Sequence, residues 1–188
     1  MKQLPIVAAL LWSASALLTR TVRAAPPESA IPLPPAHAAP CLGDGTGYVR
    51  ARIRGALNVD LNWKDAQLEC DGEARPDGSG LRVSFAGPLP GGRVLHLVFG
   101  VSSAREGVPG RELPTNLTVL LEGGRVFATR GDDKCTLDQL SQHALPNRSG
   151  PRAWRIEAHG FCVAPANALA GGGRILVSRF DFAGRIEF

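Results

Sequence analysis

Arg50, Arg52 and Arg54 occupy every second position of the run Tyr48-Val49-Arg50-Ala51-Arg52-Ile53-Arg54. In an extended strand a period of two puts the three guanidiniums on one side, about 7 Å apart. Such a row can bind an acidic polymer through charge-assisted hydrogen bonds. It can equally be a solvated face balanced by Asp60 and neighbouring carboxylates, or a set of charges guarding a sheet edge. Other reactive side chains are dispersed. His96 reads as an internally bonded residue of an apolar strand, and His143 and His159 read as surface positions. A hydrolase needs a nucleophile, an imidazole and an orienting carboxylate within hydrogen-bond reach. A cleft collecting His143, His159 and Asp132 would point that way. Ser79 belongs to Asp77-Gly78-Ser79-Gly80, which is a turn and not a nucleophile elbow.

Metal chemistry has little to build on. Asp132, Asp133 and Asp138 offer oxygen ligands but lack the spacing and central glycine of an EF loop. Asp132 and Asp133 read instead as a polar turn, and Asp138 as an acid favouring a helix N-terminus. No CxxC or HxxxH spacing suggests zinc, and no cofactor motif is present. Asn116-Leu117-Thr118 and Asn147-Arg148-Ser149 match the glycosylation sequon.

Four cysteines, Cys41, Cys70, Cys135 and Cys162, make an even count, and disulfides are the expected use in an exported chain. Three connectivities are possible. The sequential one, Cys41 to Cys70 and Cys135 to Cys162, closes two loops of just under about thirty residues, each contributing roughly 3.5 kcal/mol in the chain-entropy description. Cys135 to Cys162 is the better-placed bridge, since both flank elements of one subregion.

Export is read from the N-terminus. Lys2, the apolar stretch Leu4 to Leu18 and the small-residue site Val22-Arg23-Ala24 predict a signal peptide over 1–24. Residues 25–40 include Pro26-Pro27 and Pro34-Pro35 and read as a Pro-rich, disordered tether before a single disulfide-linked domain over 41–188. The signal segment holds three basic and no acidic residues, so the mature chain carries 18 basic against 17 acidic. That balance argues against nucleic acid as a partner, which needs a clustered basic excess in the folded domain. No apolar run after 1–24 is long enough for a transmembrane helix. A periplasmic or secreted location follows.

The elements that must position these residues are strands. Val49, Ala51 and Ile53 alternate with the arginines, and Leu57, Val59, Leu61 and Trp63 alternate with Asn58, Asp60 and Asn62. A two-residue turn at Gly55-Ala56 would set apolar against polar residues, leaving a long strand kinked at Gly55, the preferred reading, or a hairpin with an odd-length loop. Further strands are expected around Leu81–Phe85, Val94–Phe99, Leu117–Leu121, Arg125–Thr129 and Trp154–Phe161. The C-terminal run places Leu176, Phe180, Phe182, Ile186 and Phe188 on one face. Thr136 and Gln139 form a capping box that predicts a short helix over 137–143. The fold class is all-β: an antiparallel β-sandwich or closed barrel of about eight strands.

Several strings carry a resemblance: Arg75-Pro76-Asp77-Gly78, Gly80-Leu81-Arg82, Phe85-Ala86-Gly87, Leu113-Pro114-Thr115-Asn116 with Thr118, Phe127 with Thr129, Cys135-Thr136, Gly160-Phe161-Cys162-Val163 and Phe180 to Gly184. Over most of 48–188 the chain resembles an uncharacterised family of secreted or envelope-attached, β-rich proteobacterial proteins. The resemblance implies export and a compact β fold; it carries over no activity, ligand or catalytic residue.

Three function classes follow. The first is a noncatalytic envelope binding or interaction module, with an acidic envelope polymer or another envelope protein as partner and Arg50, Arg52 and Arg54 as its contact row. The second is a small periplasmic enzyme with a loop-built site. The third is a small outer-membrane β-barrel, suggested by the aromatic terminal strand ending at Phe188.

Overall fold

Hydrophobic alternation becomes a curved sheet. A computed structural model describes residues 41–146 and 151–188. The predicted signal peptide, the tether and the Asn147 sequon lie outside the described residues. The strands are β1 (Tyr48–Gly55), β2 (Val59–Lys64), β3 (Glu69–Ala74), β4 (Gly80–Pro88), β5 (Val94–Ser102), β6 (Gly110–Leu121), β7 (Arg125–Ala128), β8 (Cys135–Ala144), β9 (Ala153–Cys162), β10 (Ala166–Ala168) and β11 (Arg174–Glu187). A 3-10 turn at Asp65–Gln67 is the only helical element among the described residues. No helix among them is long and apolar enough to cross a membrane.

The strands follow the circuit β3-β4-β5-β6-β8-β9-β11, antiparallel at each step, and β11 meets β3 in parallel where Glu187 stands beside Glu73. Two long strands let this circuit divide. The N-terminal part of β6 pairs with β8 and its C-terminal part with β7, while β11 pairs with β10 at its start and β9 further on. The β1–β2 hairpin lies along the other flank of β11. The result is an all-β, barrel-like sandwich that closes unevenly.

Two glycines permit the close approaches this requires. At Gly72 of β3 a Cβ would come 2.5 Å from the Arg185 carbonyl oxygen, so the parallel closure needs a residue without a side chain. At Gly87 of β4 a Cβ would meet the Trp63 ring at 2.6 Å. Trp63 spans the seam between β2 and β4, its indole Nε1 donating to the Pro88 carbonyl at 2.8 Å.

The interior is filled by side chains. Phe85, Phe99, Phe180 and Phe182 are each at most 1% exposed, with ring centroids 4.7 Å apart for Phe99 and Phe180 and 5.0 Å for Phe85 and Phe182. Tilted pairs of this kind contribute about 0.5–1.5 kcal/mol each beyond simple burial. Both sequential disulfides form, Cys41–Cys70 and Cys135–Cys162. The first works alongside buried Asp65, whose Oδ1 accepts from Leu42 N and Gly47 N at 2.9 Å each and fastens the segment ahead of β1.

Three expectations are corrected. The helix over 137–143 is instead part of β8, paired with β6 on one side and β9 on the other. A bulge between Leu137 and Gln139 shifts the phase of the strand, so Leu137 and Leu140 both point inward, and their spacing of three mimics a helical face. Gly55 does not kink one strand but opens a hairpin loop. Ile53 stands opposite Val59 and Ala51 opposite Leu61, leaving an odd-length loop, 54–58, in which Asn58 exchanges two hydrogen bonds with the Gly55 backbone. In β11 the buried pair before the bulge is Ile175 and Val177, and Leu176 is only half-buried. The register against β1 shifts between Arg52 and Ile53, resetting the alternation ahead of Phe180.

Candidate functional site

Burial of Val49, Ala51 and Ile53 turns Arg50, Arg52 and Arg54 to the outer face of β1. Burial of Phe180 and Phe182 does the same for Arg179 and Asp181 on β11. Leu61 and Trp63 point inward from β2 and leave Asp60 and Asn62 outside. The register then builds two cross-strand rows: Asn62, Arg50 and Asp181 in one, Asp60, Arg52 and Arg179 in the other. Between them lies a groove of about 250 Å³, floored by Ala51 and Leu61 and walled by the charged side chains.

The three arginines of the row differ in their engagement. Arg54 donates to the Ile53 and Val59 carbonyls and, at 2.9 Å, to Asp60, so it secures the β1–β2 loop. Its hydrogen bond, with the Arg52 charge nearby, holds the Asp60 carboxyl below the usual carboxylate range. Arg50 meets Asp181 at 3.1 Å and its guanidinium lies 4.6 Å from the Tyr48 ring centroid. Arg52 reaches Asp60 only through Nε at 3.5 Å, sharing it with Arg54. Directly opposite Arg52 is Arg179, which makes no ion pair among the described residues. Four guanidiniums thus face two carboxylates. Like charges directly opposite one another on neighbouring strands are destabilising in isolation, and a bound anion would relieve that repulsion.

Arg179 was missed by the sequence reading, although a signal existed. Placing Phe180 and Phe182 inward already puts Arg179 and Asp181 outside; the missing knowledge was that β1 pairs with β11.

A second polar cluster joins Arg75, Ser102, Asn116 and Asp132. Asp132, in the β7–β8 loop, accepts from Ser102 Oγ at 2.6 Å and from Asn116 Nδ2 at 2.5 Å. Those bonds, Ser102 first, depress its pKa below the usual value, with the Arg75 charge adding to the effect. Arg75 Nη1, buried and without a hydrogen bond, lies 3.7 Å from Asp132 Oδ2. Asn116 is the sequon asparagine, and its amide is already engaged.

His143, His159 and Asp132 do not converge. His143 lies one residue before the end of β8, opposite Arg155, while Asp132 precedes Cys135 at the other end, about 25 Å away along an extended strand. His159 lies between Gln139 and Asp181. His96 is exposed on β5, not internally bonded in the core. Asp133 pairs with Lys134, and Asp138 is an exposed residue at the β8 bulge, not a helix-terminal acid. Among the described residues no three His, Cys, Asp or Glu side chains are grouped to hold a metal ion.

Compared with known proteins, the chain matches no family model, no curated protein and no solved structure. The cysteines of the described chain are all paired, as in proteins that fold in an oxidising compartment.

Proposed function

We propose that the chain is a noncatalytic binding module, periplasmic or secreted, that holds an acidic envelope polymer in the groove between β2, β1 and β11. The observation that carries this reading is the Arg52–Arg179 juxtaposition at the mouth of the groove, where one shared carboxylate leaves two positive charges uncompensated. Arg50 adds a third donor along the strand, and Arg54 serves by occupying Asp60. The charged outer faces of β1 and β11 around a phenylalanine core weigh against the outer-membrane barrel, whose outward band is apolar. The dispersal of His143, His159 and Asp132 weighs against the loop-built enzyme. Resemblance to an envelope-associated family and the predicted signal peptide support the compartment.

The test is binding of the purified disulfide-bonded protein to polygalacturonate across a salt series. Neutralising about two anionic groups weakens binding roughly 25- to 60-fold per tenfold rise in salt. The triple variant R50Q/R52Q/R54Q is expected to lose binding. Salt-insensitive binding, or equal binding by the variant, contradicts the proposal.

A further inference from the structure

The row that contains Arg52 and Arg179 does not end at β11. The β9–β11 ladder pairs Phe180 with Gly160 and Asp181 with His159. The ladder ends at that Phe180–Gly160 pair, and Arg179 and Phe161 are the next residues of the two strands. Gly160 and Cys162 are buried, so Phe161 points outward with Arg179, and it is 36% exposed. Val163, 68% exposed, extends the apolar strip past the end of β9. Phe161 and Val163 thus keep apolar surface in water at the end of the strand that flanks Arg179 on β11, and Arg179 makes no ion pair among the described residues.

Resting on the groove reading above, we infer that Phe161 is a stacking platform and that the ligand is an acidic polysaccharide, whose sugar rings lie on Phe161 while its carboxylates reach Arg179 and Arg52. Neighbouring strands are about 4.8 Å apart, close to the length of one pyranose unit. A glycan laid across β9, β11 and β1 therefore meets Phe161, Arg179 and Arg52 in successive units. The C–H face of a pyranose is apolar and suits an aromatic face, and a uronate carboxylate accepts a guanidinium fork. Asp60 terminates the row on β2 and limits the footprint to about three units. Single-stranded nucleic acid also combines stacking with anionic groups. The balanced charge of residues 25–188 and the two disulfides favour the glycan.

The experiment measures affinity of the full disulfide-bonded protein for polygalacturonate, inorganic polyphosphate and oligo(dT), with wild type, F161A, F161Y and R179Q compared. Phe161→Ala is expected to weaken polygalacturonate binding about tenfold and leave polyphosphate binding unchanged, while Phe161→Tyr, which keeps the ring, restores the glycan. Arg179→Gln is expected to weaken both anionic polymers. Unchanged polygalacturonate binding in F161A overturns the stacking role but leaves the groove intact. Equal loss of both polymers overturns it too, because the ring then acts through the fold. Tight oligo(dT) binding that F161A abolishes, with polygalacturonate unaffected, assigns the platform to nucleobases and refutes the glycan. If wild type binds none of the three polymers, the groove reading itself fails.

Discussion

Replacing Asp132 by Ala removes the acceptor that joins the β7–β8 loop to β5 and β6. Two hydrogen bonds to a carboxylate are lost, from Ser102 Oγ and Asn116 Nδ2, and the buried Nη1 of Arg75 loses its neighbouring charge. Hydrogen bonds to a charged group contribute about 1.5–3 kcal/mol each when desolvated. The Asp132 side chain is 41% exposed, so water recovers about half of that. A loss of about 1.5–3 kcal/mol is expected, or a melting temperature lower by about 3–12 °C. Urea titration of wild type, D132A, S102A and the double variant measures it, and the cycle should show Ser102 and Asp132 strongly coupled. The pH dependence has a defined sign. Because the folded pKa is depressed, mainly by the Ser102 bond, the stabilisation is complete above the unfolded value of about 3.9 and is lost as pH falls through the lower folded value. The gap between wild type and D132A should therefore stay constant from pH 7 to about 5 and narrow below about 4. A loss under about 0.5 kcal/mol, or a gap independent of pH down to 2, would refute the reasoning.

Other outcomes follow from the fold. Gly72→Ala, which must push a Cβ against the Arg185 carbonyl at the closure of the circuit, is expected to cost several kcal/mol or prevent folding. Gly43→Ala, with nothing within 4 Å, should cost no more than about 0.5 kcal/mol by urea titration. Removing Cys135–Cys162, which spans 27 residues, is expected to lower stability by about 3.5 kcal/mol. Thiol titration of the denatured, unreduced protein should find no free thiol, and four would contradict the paired state.

Much of this architecture is legible in the sequence because period-two burial is a local property. The inward faces of β1 and β2 and the β6–β7 hairpin follow from it directly. Failures occur where a residue outside the strand decides its phase. The β8 bulge creates a false helical spacing between Leu137 and Leu140, and only pairing with β6 and β9 overrides the local capping signal. At Gly55, glycine is consistent with either a kink or an odd loop, and the choice is made by Val59 settling opposite Ile53. The candidate site was half legible for the same reason. Alternation exposed Arg50, Arg52 and Arg54, but Arg179 joins them through a contact between residues more than a hundred positions apart, which no local pattern encodes.

The central claim rests on Arg179, which among the described residues is the groove guanidinium without an ion pair, so R179Q isolates ligand binding from stability. The direct measurement is the polygalacturonate isotherm of wild type and R179Q at low and high salt, with melting temperatures recorded for both. Binding in wild type that salt abolishes, a loss of about tenfold or more in R179Q and an unchanged or raised melting temperature are predicted, since the substitution relieves the repulsion with Arg52. Equal affinity of the two proteins at low salt, with both folded, would contradict the account.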